Sequence, residues 1–170
     1  MGGGPGSGLH KSTDGGDTWT KLKTGLPTDQ MGKTGLAISH HNPNTLYAAI
    51  ELPRRTGGVY KSDDAGNSWT KQSNTVTGGT GPHYYQEMYA SPHHEGRLYL
   101  MDNNLQISED GGKNFKQLMP AYGVDNGVHP DHHAWWIHPN YGKFIINGND
   151  GGLNITKDDS NKHLTLPTIY

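Results

Sequence analysis

No cysteine occurs among the 170 residues, which excludes disulfides and thiolate metal sites. That absence does not identify a compartment, because many exported bacterial proteins also lack cysteine. Arginine is scarce: Arg54, Arg55 and Arg97 are the whole complement, and the formal net charge is −2. Such a chain has no basic face to hold a phosphate backbone, so nucleic acid is excluded as an expected partner. No apolar run approaches the roughly 18 residues that a membrane-spanning helix needs. The N-terminal run Met1 to Gly8 has neither the basic nor the apolar region of a signal peptide. Glutamate is rare as well, with only Glu51, Glu87, Glu95 and Glu109 against 25 glycines and 10 prolines. That balance favours strands and turns over helices. The glycine run before Lys11 and Ser12 has the look of a phosphate loop. Leu9 and His10 interrupt it, however, and the Gly-Lys-Ser contiguity that seats a phosphate is missing.

What the chain has is repetition. The octapeptide Ser12-Thr-Asp14-Gly-Gly16-Asp-Thr18-Trp19 returns as Ser62-Asp-Asp64-Ala-Gly66-Asn-Ser68-Trp69 and as Ser108-Glu-Asp110-Gly-Gly112-Lys-Asn114-Phe115. A decayed fourth copy runs from Thr156 through Asp158 and Ser160 to His163, so the starts lie 50, 46 and 48 residues apart. A fixed period of this size marks a repeat architecture. Between the boxes an apolar strand, a proline turn and a second apolar strand recur, as in Gly35–Ile38, Pro43 and Leu46–Ile50. A short strand then enters each box and another leaves it. Four short strands per repeat describe one blade of a β-propeller, and the expected fold is all-β: about three and a half four-stranded antiparallel blades. The expected divisions are 1–33 for the last strands of one blade, 34–80 and 81–124 for two blades, and 125–170 for an incomplete one. An arc with open edges is a liability on its own. The expectation is therefore a segment of a larger propeller, completed by further blades of the same protein or by another chain.

Each conspicuous residue of the box has a structural task. The carboxylates of Asp14, Asp64 and Asp110 can accept bonds from following backbone N–H groups in an Asx-type turn. Gly16, Gly66 and Gly112 suit positive φ, and Trp19, Trp69 and Phe115 can cover the gap between neighbouring sheets. Asp158 is the corresponding acid of the fourth copy.

These octapeptides resemble the Asp-box, or BNR, repeat of sialidases, xyloglucan-active glycoside hydrolases and the sortilin-type Vps10 propeller. Gly57–Asp64, Asp131–His133 leading into Trp136–Pro139, and Asn147–Gly152 look most like large bacterial sortilin-like or glycosyl-hydrolase-like BNR proteins. The resemblance covers residues 1 to 157. It implies an exported protein, secreted, periplasmic or on the cell surface, but the same fold serves hydrolases and receptors alike.

Propeller sites lie where the loops leading into the innermost strands meet the central channel. Those loops offer Lys33, His83, Tyr84, Tyr85, Glu87, Asp125, Asp131 and His132, while Trp135 or Trp136 could stack a ligand, at most one of them facing the channel because adjacent strand residues point to opposite faces. Hydrolysis of a glycosidic bond would need two facing carboxyl groups. Glu87, Asp125 and Asp131 are the eligible acids, since the box aspartates are committed to turns. A typical sialidase is disfavoured because its substrate is held by arginines from separate blades, and Arg54 and Arg55 are adjacent. The triplet His129, Asp131 and His133 would place alternate side chains on one side of an extended segment, where a divalent metal could bind. The alternative is that they bond within the loop. Asn147–Gly152 superficially suggests a calcium loop, yet reads better as a hairpin. The expected function is a non-catalytic binding or scaffold module for peptide, protein or glycan, without a required cofactor. The alternative is a glycoside hydrolase acting through the lead-in carboxylates.

Overall fold

A computed structural model describes residues 3–77, 85–118 and 128–156. His83, Tyr84, Asp125 and Asp158 lie outside the described residues. The described chain is all-β, without an α-helix, and forms a partial β-propeller of antiparallel sheets.

The first sheet pairs β1 (His10–Lys11) with β2 (Thr20–Lys21). The second is a complete blade of β3 (Thr34–Ile38), β4 (Leu46–Leu52), β5 (Thr56–Ser62) and β6 (Thr70–Ser73), paired in chain order. The third repeats that meander with β7 (Met88–Ala90), β8 (Leu98–Leu100), β9 (Gln106–Ser108) and β10 (Lys116–Gln117). The fourth contains β11 (His132–Ile137), β12 (Ile145–Asn149) and β13 (Gly152–Thr156). A 3-10 turn at Pro53–Arg55 joins β4 to β5.

The core lies between sheets, which explains the continuous apolar runs. Along β4, Ala48, Ile50 and Leu52 pack toward the first sheet against Leu9, Leu26 and Trp69. Tyr47 and Ala49 point the other way, onto Met88, Leu98 and Leu100 of the third sheet. On β8 the division repeats: Leu98 and Leu100 face back while Tyr99 faces forward onto Trp135 and Ile145 of the fourth. A strand buried on both faces needs no polar alternation. The second and third sheets approach closely at their first strands, where a Cβ on Gly35 would come within 1.7 Å of the Gln86 carbonyl oxygen. Any side chain there would force the second and third sheets apart.

The boxes form the turns between third and fourth strands, with one bonding scheme throughout. In the second sheet, Ser68 donates from N to Asp64 Oδ1 at 2.8 Å and from Oγ to Oδ2 at 2.6 Å. Ser62 Oγ donates to the same carboxylate and accepts from Gly66 N, and Trp69 Nε1 closes the turn on the Gly66 carbonyl at 3.0 Å. Thr18 and Asn114 take the role of Ser68 in the other copies. Gly16, Gly66 and Gly112 all have positive φ. At Gly112 there is a second reason for glycine, since a Cβ would lie 2.7 Å from Val59 Cγ1. The aromatic of the box is not uniformly a cover. Trp69 is buried between the first and second sheets and Phe115 packs between the second and third, whereas Trp19 stands in solvent.

Candidate functional site

The lead-in loops and the hairpins between second and third strands lie at one end of the blades, opposite the boxes. Their polar side chains connect neighbouring blades. Lys33, just before β3, reaches across to Glu87, just before β7, with Nζ to Oε1 at 2.6 Å. Beneath it the buried carboxylate of Glu51 accepts from Lys33 N at 3.1 Å. The second Glu87 carboxylate oxygen is shielded from solvent and has no hydrogen-bond partner among the described residues.

A second connection joins the third and fourth sheets. Tyr85 donates its hydroxyl to Asp131 Oδ1, and Asn103 donates from Nδ2 to the same oxygen at 2.6 Å. The Tyr85 ring also stacks on His133, with centroids 5.3 Å apart. Backbone bonds from Asp131 N to the Asn103 carbonyl and from His132 N to that of Asp102 hold the lead-in to the hairpin of the third sheet. Asp131 is thereby held at φ +68°, in the left-handed region. Gln86, at the start of the third blade, is also held at positive φ, +129°. Strain of this kind gathers where surrounding structure over-determines a backbone, and functional sites are frequent examples.

That geometry sets the expected residues in surroundings of their own. The residues 129–133 do not run as a regular extended segment, because Asp131 has φ +68° and the ladder is irregular between His132 and Ala134. His129 Nδ1 lies 2.9 Å from the Pro130 carbonyl, Asp131 accepts from Tyr85 and Asn103, and His133 sits 3.5 Å from Asp150. Among the described residues no three His, Asp or Glu side chains gather as a metal would require. His132 is buried, with Nδ1 3.0 Å from Asn147 Oδ1, and burial pulls its pKa below the usual histidine value. Trp135 belongs to the core and packs on Tyr99, while Trp136 points out on the opposite face of β11. Tyr85 is likewise buried, with its ring on His133 and its hydroxyl donating to Asp131.

Of the expected residues, the structure brings together Lys33 with Glu87 and Tyr85 with Asp131. Sequence reasoning passed over Glu51, Asn103 and Asp150, which come from hairpins rather than lead-in loops. The four-strand period itself carried that signal, because it puts both sets of loops at one end. At the outer rim a shallow depression of about 250 Å³ is lined by Lys61, Asp63, Asp64, Ser68, Thr70 and Gln72. Its carboxylates are already bonded, Asp64 within its box and Asp63 to Lys61 at 2.9 Å, so it follows from the turn geometry. Hydrogen bonds from Ser68 pull the Asp64 pKa down to about 2, and those from Asn114 do the same at Asp110.

No protein-family model matches the chain, and no curated protein matches it. Solved structures do. A GH74 enzyme of Niastella koreensis aligns at a TM-score of 0.61 and 17% identity, over 79% of this chain and 22% of that one. The GH74 xyloglucanase of Xanthomonas campestris aligns at 0.58 and 16%, over 75% and 22%. YCF48 bound to D1 peptide aligns at 0.55 and 15%, over 89% of this chain and 45% of that one. Identities this low establish a shared fold and nothing finer. The chain spans about a fifth of the length of the GH74 enzymes and under half of YCF48.

Proposed function

We propose that the chain is a non-catalytic binding module, and that it recognises a peptide, protein or glycan at the lead-in end of its blades. The observation that carries this reading is the state of the two described candidate acids. Glu87 is paired with Lys33, and Asp131 is bonded by Tyr85 and Asn103. Groups held in this way make a preorganised polar rim across three successive sheets, suited to fixing a ligand's orientation. One similar propeller, YCF48, holds a peptide, which supports an extended polypeptide as one class of ligand. We further infer an Asp-box protein of the sortilin-like or hydrolase-like kind, working in a secreted, periplasmic or cell-surface setting. The box octapeptides carry the first inference and the resemblance implies the second.

The competing reading is a glycoside hydrolase. It is favoured by the shielded oxygen of Glu87, which has no partner among the described residues, and by the GH74 neighbours. A panel of short peptides and oligosaccharides, xyloglucan fragments included, separates the two when binding and product release are measured together. The binding reading expects saturable association without turnover, weakened by Lys33→Ala and Asp131→Asn. Turnover abolished by Glu87→Gln or Asp131→Asn would replace it with the hydrolase.

A further inference from the structure

Tyr85, Gln86 and Glu87 lead into β7, and their side chains do not alternate. In a regular strand successive residues face opposite ways, so residues two apart share a neighbour. Within β7 the rule holds: Met88 and Ala90 pack back onto the second sheet, while Tyr89 packs forward among residues shared with the fourth. Ahead of β7 it fails. Gln86 is bonded by Thr77, which follows β6, and Glu87 pairs with Lys33, which precedes β3. Gln86, Glu87 and Met88 in succession therefore all engage the second sheet or the residues that flank it. Tyr85 reaches the other way, to Asp131 and His133. Two residues apart, Tyr85 and Glu87 serve opposite neighbours, and each supplies one of the bridges at the lead-in end.

The residue between them makes this possible. Gln86 has φ +129°, in a region that a residue with a side chain rarely adopts. Three contacts hold it there. Its Oε1 accepts from Thr77 Oγ1 at 3.0 Å and from Thr77 N at 3.4 Å, and its carbonyl oxygen lies so close to Gly35 that no Cβ fits between them. Both Gln86 and Thr77 are buried. Stability alone is a poor reason for glutamine at this place, because its Nε2 is shielded from solvent without a partner among the described residues. A buried amide with an idle donor on a strained backbone runs against local preference, and such conflicts gather where a fold serves a site.

We propose that Gln86 is the positioning residue of the lead-in rim: anchored on Thr77 and pressed against Gly35, it holds the strained backbone that lets Tyr85 face Asp131 while Glu87 faces Lys33. The two bridges are then coupled through one residue and do not form separately. That they serve a ligand rests on the function proposed above, whereas their common dependence on Gln86 does not.

The test compares alanine with glycine at position 86, by nuclear magnetic resonance of the protein without ligand. Cross-peaks between the Tyr85 and His133 rings follow one bridge, and those between the Lys33 and Glu87 side chains follow the other. Gln86→Ala removes the anchor yet keeps a Cβ that disfavours φ +129°, so both sets of cross-peaks are lost together. Gln86→Gly removes the same anchor but accepts that φ without strain, so both sets return. A side chain that merely fills space gives the opposite order, because glycine truncates further than alanine and weakens an extended segment. Should Gln86→Ala fail to fold, Thr77→Val weakens the anchor at nearly constant volume, and both sets fade until Gln86→Gly is added. Cross-peaks that survive in Gln86→Ala, or in Thr77→Val where that variant carries the test, overturn the proposal. So does their loss in Gln86→Gly, or the loss of one bridge with the other intact. Calorimetry with the tightest member of the peptide and oligosaccharide panel separates this role from the binding reading. Affinity falls at least about tenfold in Gln86→Ala and is regained in Gln86→Gly. Unchanged affinity after both bridges are lost leaves the positioning role standing and overturns the rim as the ligand site.

Discussion

The two ends of the blades follow opposite rules. At the box end three successive copies use the same bonds: a serine and a carboxylate capture the backbone four residues on, and in the first two the tryptophan closes the turn. At the lead-in end no bridge resembles the next, with Lys33 to Glu87 in one place and Tyr85 and Asn103 to Asp131 in another. A feature repeated in every blade answers a need that every blade has, which is to turn and to cover its neighbour. On the function proposed above, particular features answer a particular ligand. The repeated aspartates of the described boxes are thus committed to their turns, although they are the most conspicuous acids of the sequence.

Substitutions can break this contrast at either end. Trp69→Ala removes an inter-sheet side chain and should cost about 3–5 kcal/mol in urea unfolding. Trp19→Ala, the same box position in solvent, should cost below about 1 kcal/mol. Gly112→Ala forces a Cβ onto Val59 at positive φ and should cost about 1–3 kcal/mol. Acid should act on the box end next. The Asp64 and Asp110 pKa values are lowered from 3.8 to about 2, so the stability that these groups contribute is complete above pH 4 and lost as pH falls toward 2. Thermal unfolding between those pH values should show the loss, and Asp64→Asn should flatten it. The smallest effect on stability is expected at the lead-in end. Lys33→Ala breaks a partly exposed pair and should move stability by no more than about 1 kcal/mol, while reducing affinity for any ligand of that rim.

The fold was legible because the box and the proline turn punctuate the chain at a constant period. Even the opposite fates of Trp135 and Trp136 follow from strand alternation, although the face that takes Trp136 is the outer face of the last sheet and not the channel. The site was legible only by region. Asp131 has φ +68° because the hairpin at Asp102 and Asn103 captures its backbone, a contact 28 residues away that no local pattern encodes. The same capture undoes the regular spacing on which the His129, Asp131 and His133 triplet depended. Glu51 is a comparable case. It reads as a charged residue at a strand end, and only the return of Gly32 and Lys33 over it makes it buried.

The central claim is that recognition belongs to the lead-in end and architecture to the boxes. Its most direct test pairs Glu87→Gln with Asp64→Asn, measuring the affinity of the folded protein by calorimetry for the tightest member of the peptide and oligosaccharide panel. The account predicts at least about a tenfold loss for Glu87→Gln, equivalent to about 1.4 kcal/mol, with the unfolding midpoint unchanged. For Asp64→Asn it predicts unchanged affinity and a lowered midpoint. The reverse pattern, with affinity lost at Asp64 and kept at Glu87, would contradict it.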